Sequence, residues 1–297
     1  MLPAWRKRFF HGMTVVALIF LNSSVEASKI KSVECVVPAG LEKILQSENI
    51  ILMGEVHGTK EAPLAFGTAV CTALSLGRMV SVGLELSGSE VEPLRAYMAS
   101  DGGKPAVARL LQSSHWTRKF QDGRSSIAML TLVERLRTLA HHYQNLSVFV
   151  MEEQVGPPVG PAHLVRDQTM AARVRAEHDR RPGALILTLT GNIHNRVQNM
   201  PLNPGGKPIT PPMGFLLKDL SPRSVALETV GAAWVCAPDC GVHGEPAPGV
   251  SQFEPHLAYR ELAGDEPYTS EWTLGLGTPS RPAAEVMADK RFSGAAP

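Results

Sequence analysis

The chain has 297 residues, 44% of them hydrophobic and 19% charged, with a formal net charge of +1. That length supports one large domain or two small ones. The even charge balance excludes a polybasic nucleic-acid binder, and there is no acidic tail.

In chain order, Arg6, Lys7 and Arg8 precede the apolar stretch Met13 to Leu21, and Val25 and Ala27 form an A-x-A-like cleavage site. The pattern predicts a secretory signal peptide over residues 1–27. The apolar stretch is far shorter than the ~20 residues a membrane span needs, so no transmembrane anchor is expected in the mature chain. Cleavage removes three positive charges and Glu26, leaving a mature charge of −1. The expected location is the periplasm or the external medium. Such a compartment is oxidising. Cys35, Cys71, Cys236 and Cys240 survive cleavage, and four cysteines allow three pairings. A small loop closed by Cys236 and Cys240 would leave Cys35 with Cys71. A zinc site is the weaker reading, because a lone C-x3-C has no second ligand pair nearby.

Ile50 to Met53 is a continuous apolar run, the mark of a strand buried on both faces. Thr59 to Gly77, "TKEAPLAFGTAVCTALSLG", carries helical spacing with Gly77 as the stop. Met79 to Leu86, Leu146 to Glu152 and Ala184 to Thr190 read as three more buried strands. Between them lie the helical stretches "SEVEPLRAYMA", with Ser89 as cap, "GKPAVARLLQ", "SSIAMLTLVERLRTLAHHYQN" and "HLVRDQTMAARVRAEHD". This alternation predicts an α/β domain, a central mostly parallel β-sheet flanked by helices, over residues 28–278. Beyond Thr190 comes a Pro/Gly-rich loop, then a strand in "SVALETVGAAWV", then an irregular Pro/Gly-rich region from Cys236 to Pro255. Residues 279–297 read as a loose C-terminal tail.

The strand at Ile50 ends in "GEVHG", Gly54 to Gly58, and the strand at Ala184 ends in "GNIHN", Gly191 to Asn195. In an open α/β sheet, ligands bind beyond the carboxyl ends of the strands. Two Gly-x-x-His motifs there, with Glu85 ending a third strand, bring imidazoles and carboxylates to one rim. If the chain stays extended past the first strand, Glu55 and His57 share a face. His57 is the candidate general base, since a near-neutral imidazole can take a proton from water. Glu55 and Glu85 would orient that water or hold a metal. His194 would serve as metal ligand, acid or orienting partner. Arg124 offers a fork of donors for a substrate carboxylate or an oxyanion, or else a salt bridge that locks its own loop. Trp116 lines the cleft or fills the core, and Asp167 touches substrate or caps its helix. The adjacent His141 and His142 lie on a helix and read as solvent-facing or packing residues.

Five segments, "GEVHGTKEAP", "GLEL", "WTRKFQDGRSS", "RDQTMA" and "GNIHN", together resemble the signature of the erythromycin esterase/ChaN/TIKI superfamily. The match is closest to its ChaN-like haem-binding-uptake branch and covers about residues 45–235. The resemblance implies a mostly parallel sheet between helices, in agreement with the strand and helix pattern. It also implies His57 as base and places Glu61 in a "GTxExP" slot as a substrate-side residue, although Glu61 could equally favour a helix dipole. Members of that superfamily include hydrolases that open macrolide lactones, metal-dependent peptidases and a haem-binding protein of iron uptake.

Two functions follow as expectations. The first is an exported hydrolase in which activated water attacks an ester, lactone or amide. No G-x-S-x-G elbow and no HExxH stands in the chain, which favours direct water attack with no obligatory metal. If a divalent metal is bound, Glu55, His57, Glu85 and His194 are its ligands. The second is a haem-binding protein, with one of Tyr97, Tyr143, Tyr259 and Tyr268 or a histidine on the iron, although no C-x-x-C-H is present. The partner is accordingly a small-molecule substrate or haem.

Overall fold

The computed structural model describes residues 35–153, 165–201, 210–236, 239–245 and 259–288. The signal peptide expected over residues 1–27 lies outside them. The helices are α1 (Ala39–Ser47), α2 (Glu61–Ser75), α3 (Val91–Met98), α4 (Lys104–Leu111), α5 (Ser114–Thr117), α6 (Ile127–His142), α7 (Val165–Arg180), α8 (Met213–Leu216) and α9 (Ala283–Ala288). The strands are β1 (Ile50–Glu55), β2 (Val80–Ser87), β3 (Leu146–Glu152), β4 (Leu185–Gly191), β5 (Arg223–Gly231), β6 (Ala233–Cys236), β7 (Cys240–His243), β8 (Tyr259–Glu261) and β9 (Ser270–Gly277). Among the described residues, no helix is long and apolar enough to cross a membrane.

Seven strands form one sheet in the order β3-β2-β4-β1-β5-β9-β8. All neighbours in it are parallel except β8, which runs antiparallel to β9 at the edge. The apolar runs predicted for β1, β2 and β4 are interior strands, with β3 at one edge, and side-chain alternation explains why the interior ones read as unbroken. On β1, Ile51 and Met53 join a core with Leu41, Phe66, Leu132 and Trp116 on the face of α1, α2 and α6. Ile50 and Leu52 join a second core with Met151, Met170, Val174 and Met213 on the face of α7 and α8. Both faces are covered, so every position must be apolar.

Gly77 closes α2 at φ +79°, the left-handed conformation that suits a residue just past a helix end. The expected Ser89 cap is not found. Ser89 sits inside a short 3-10 turn, Gly88–Glu90, and it is Ser87 whose hydroxyl accepts from the Ser89 N–H. Ser126, in contrast, caps α6 through Met129.

The later half departs further from expectation. The run "SVALETVGAAWV" is broken at Gly231, φ +99°, into β5 of the main sheet and β6 of a separate hairpin with β7. The region expected to be irregular from Cys236 therefore contains β7. The described part of the tail is also seated in the domain. Thr59 bridges Pro279 and Ser126 bridges Pro282, Ala283 is buried, and the Ile127 N–H donates to the Arg281 carbonyl at 2.9 Å. Residues 289–297 lie outside the described set.

The cysteines pair as Cys35–Cys71 and Cys236–Cys240, with none free. The first ties the segment before α1 to α2, and the second closes the β6–β7 hairpin.

Candidate functional site

β4 lies between β2 and β1, and their carboxyl ends deliver the motif residues to one rim. Glu55 is the last residue of β1, in register with Gly191 of β4 and Leu227 of β5. His57 stands two residues on, and its Nδ1 is 3.0 Å from Glu55 Oε1. The strand ends at Glu55 and His57 stands in the turn that follows, yet the two side chains meet. The two glycines make room for each other's motif. A Cβ at Gly191 would lie 2.9 Å from His57 Nε2, and one at Gly54 would lie 2.0 Å from Asn195 Oδ1. Each Gly-x-x-His glycine is the seat of a side chain from the other motif.

Glu85, from the end of β2, joins them. Its Oε2 accepts from the Gly191 N–H at 2.6 Å and lies 3.6 Å from His57 Nε2. Its Oε1 accepts from Arg124 Nη1 at 3.1 Å and from Arg166 Nη2. Arg124 is gripped by Asp122, with its Nη2 2.6 Å from Oδ2, and Asp122 also accepts from Arg118 at 2.7 Å. Arg166, in the first turn of α7, donates from Nε to Glu152 Oε1 at 2.9 Å. The salt bridge expected to lock the Arg124 loop is present, and the side chain borders the cleft.

A second imidazole–carboxylate pair faces the first. The His194 N–H folds back to the Gly191 carbonyl at 3.0 Å. Its Nδ1 is 2.9 Å from Asp167 Oδ1, which also accepts from the Met213 N–H at 2.8 Å. Asp167 does not border the cleft. It positions His194 and ties down the start of α8.

Burial and charge set the protonation states. Burial by itself pushes the Glu85 carboxyl up, but His57, Arg166, His194 and Arg124 outweigh it and hold the group at about 2. Burial would lower His57, yet the charge of Glu85 and the hydrogen bond and charge of Glu55 together raise it above the usual imidazole value. Glu55 is raised, chiefly by burial. Its Oε2 is buried with no hydrogen-bond partner. His115 falls to about 4, mainly by burial, so it is neutral and donates from Nε2 to the Arg124 carbonyl at 2.9 Å, bracing that loop from below.

Glu85 makes a stability prediction possible. Its folded value lies below its unfolded one, so its contribution is full at neutral pH and disappears as pH falls from about 4.5 toward 2. A shift of that size corresponds to about 3 kcal/mol. Glu85→Gln should therefore cost about 2–4 kcal/mol at pH 7. The cost should shrink clearly at pH 3, as read from urea unfolding at the two values. A gap of equal size at both would remove the claim that ionised Glu85 is the keystone.

The cleft has a volume of about 360 Å³ and is bordered by Glu55, His57, Glu85, Arg124, Arg166 and His194, with Val235 of the hairpin opposite. The five predicted catalytic residues therefore meet. None of the three expected substrate-side residues, Asp167, Trp116 and Glu61, borders it. Trp116 is 2% exposed and packs in the core. Glu61 is buried at the start of α2, where its Oε2 accepts from the Thr278 N–H at 2.8 Å. Among the described residues no group of three or more His, Cys, Asp and Glu side chains is arranged to hold a metal. The conditional metal set fails for a visible reason: Glu85 is saturated by two arginines and a backbone N–H, and Glu55 is turned onto His57.

Arg166, Asp122 and Glu152 were missed as site residues. Arg166 and Asp122 stand inside the motifs "RDQTMA" and "QDGRSS", and Glu152 ends a predicted strand, so the rule that placed Glu85 at the rim applied to Glu152 as well.

No family model matches the chain, and no curated protein matches it in sequence. Solved structures do. A Bacillus cereus protein superposes with a TM-score of 0.59 at 12% identity, over 82% of this chain and 92% of its own. A succinoglycan biosynthesis protein gives 0.56 at 10% identity, over 82% and 91%. The fold is shared. A mutant erythromycin esterase in its open conformation aligns with a TM-score of 0.39 at 13% identity, over 81% of this chain and 78% of its own.

Proposed function

We propose that the protein is an exported hydrolase of the erythromycin esterase/ChaN/TIKI type, in which His57 activates water against an ester, lactone or amide carbonyl. The carrying observation is the paired arrangement at the rim, His57 on Glu55 at 3.0 Å and His194 on Asp167 at 2.9 Å, in one cleft. The two disulfides and the signal-like leader support export.

The chemistry follows from the geometry. Glu55 accepts the Nδ1 proton of His57, which leaves Nε2 as the basic nitrogen. Water loses a proton to Nε2 as its oxygen bonds to the carbonyl carbon. The imidazolium so formed is stabilised by ionised Glu85, 3.6 Å from Nε2. Arg124 and Arg166 supply fixed positive charge to the carbonyl oxygen as it becomes an oxyanion. His194, held through Nδ1 by Asp167, gives a proton to the leaving oxygen or nitrogen as the carbon–heteroatom bond breaks, and an acid and an alcohol or amine depart.

The test is turnover of aryl esters, alkyl esters, lactones and amides by the purified chain, with a pH profile on the responsive class. A general base works deprotonated, and His57 is raised above the usual value near 6.5. The rate should therefore climb with pH through a midpoint above 6.5. A panel left intact, or a rate independent of pH from about 5.5 to 9, would overturn the proposal.

A further inference from the structure

A larger groove, about 490 Å³, opens elsewhere on the domain and shares no lining residue with the catalytic cleft. It runs between α2, the first half of α6 and the segment from Pro279 to Arg281. Its floor and walls are apolar: Pro63, Leu64, Ile127, Leu132 and Pro279. Leu64 is 48% exposed although it is a large aliphatic in the first turn of a mostly buried helix. The walls are rigid. The Ser280 N–H donates to the Gly58 carbonyl at 2.8 Å, and Ser280 Oγ accepts from the Ala128 N–H at 2.9 Å. The volume falls in the range of small-molecule sites.

The charges around it have one sign. Lys60, Arg135 and Arg281 border the groove, and no carboxylate does. Among the described residues none of the three is in an ion pair. The nearby Glu61 is committed to the Thr278 N–H. Arg135 crosses Gly67 of α2, where a Cβ would lie 3.0 Å from its Cδ. Its Nη1 reaches the Leu64 carbonyl and Thr68 Oγ1, but its Nε and Nη2 are buried with no hydrogen-bond partner. Among the described residues no carboxylate neutralises this charge, and an anion entering the groove would complement it.

We propose that this groove is a binding site for an amphipathic anion, a carboxylate on an apolar body such as an aliphatic chain. The chain would cover Leu64 and its apolar neighbours, and the carboxylate would meet Arg135 with Lys60 and Arg281 at the mouth. Charge complementarity selects this occupant over a neutral lipid or a cationic peptide. The inference stands apart from the hydrolase reading, since it invokes none of the cleft residues.

Titration calorimetry with dodecanoate on the full purified chain tests it, with dodecyltrimethylammonium as the probe of opposite charge and equal chain. Expected are one saturable dodecanoate site, retained in His57→Gln, and binding of the cation at least about tenfold weaker. The double variant Lys60→Glu/Arg281→Glu changes two exposed side chains and should keep its fold by circular dichroism. It should lose about tenfold or more in affinity. Leu64→Asp should weaken binding as well, through the chain rather than the headgroup. The proposal is overturned by any of four results. These are no saturable binding, equal binding of the two probes, an affinity untouched by charge reversal, or a groove covered by a second copy of the chain that dodecanoate fails to displace.

Discussion

His57→Gln is expected to lower turnover of the responsive substrate by about 10²- to 10⁴-fold while the protein remains folded. The side chain is 22% exposed, so its loss opens no sealed cavity. Glu85 keeps Arg124, Arg166 and the Gly191 N–H, so the strand ends stay tied. Glu55 loses its partner, but burial already pushes that group toward its neutral form, and glutamine offers a side-chain donor nearby. What disappears is the nitrogen proposed to take a proton from water. The loss should fall on kcat more than on KM, because the arginines proposed to face the carbonyl are untouched. Measured kinetics with unchanged circular dichroism would bear this out. Wild-type rates in the variant would move the base elsewhere in the cleft, and His194 is the group to examine next.

The candidate set was legible because its placement depends on strand ends. Central parallel strands read as unbroken apolar runs, so the last residues of β1, β2 and β4 could be found by eye, and the rim rule then gathered Glu55, His57, Glu85 and His194. β9 was not legible for the opposite reason. Only Ser270, Trp272 and Leu274 are fully buried along it, alternating with half-buried positions, and a register shift at Glu228 and Thr229 disturbs its pairing with β5. β8 has only three residues, none of them fully buried. Arg166 and Asp167 show a different limit. Both stand in the first turn of α7, yet one crosses to Glu85 of β2 and the other supports His194. A sequence shows that two polar residues are adjacent, but the partner of each comes from another strand. The sequence leaves Trp116 between cleft and core, and the resemblance puts Glu61 on the substrate side with the helix dipole as its alternative. Packing decides, since a large indole fits the core and a buried carboxylate needs a donor, which Thr278 supplies.

Gly54→Ala is expected to destabilise the fold by about 3–5 kcal/mol, far more than the change of one methyl group suggests. Alanine fits a strand as well as glycine or better, so the cost is steric. The new Cβ would fall 2.0 Å from Asn195 Oδ1 and 2.4 Å from its Cγ. Asn195 is fully buried, and its Nδ2 is ringed by the Leu52 carbonyl, Ser224 Oγ and the Val225 carbonyl at 3.1–3.2 Å. Moving that amide aside breaks these bonds inside the sheet, between β1 and β5. Asn195→Ala removes the same bonds without a clash and should cost about 2–3 kcal/mol. The double variant then discriminates. With the amide gone, the methyl at position 54 has space, so the two costs should fall short of adding by at least about 1 kcal/mol in urea unfolding. Additive costs would mean that the two motifs do not interlock. Coupling would explain why Gly-x-x-His occurs twice: Gly54 seats Asn195 and Gly191 seats His57, so neither strand end can be built without the other.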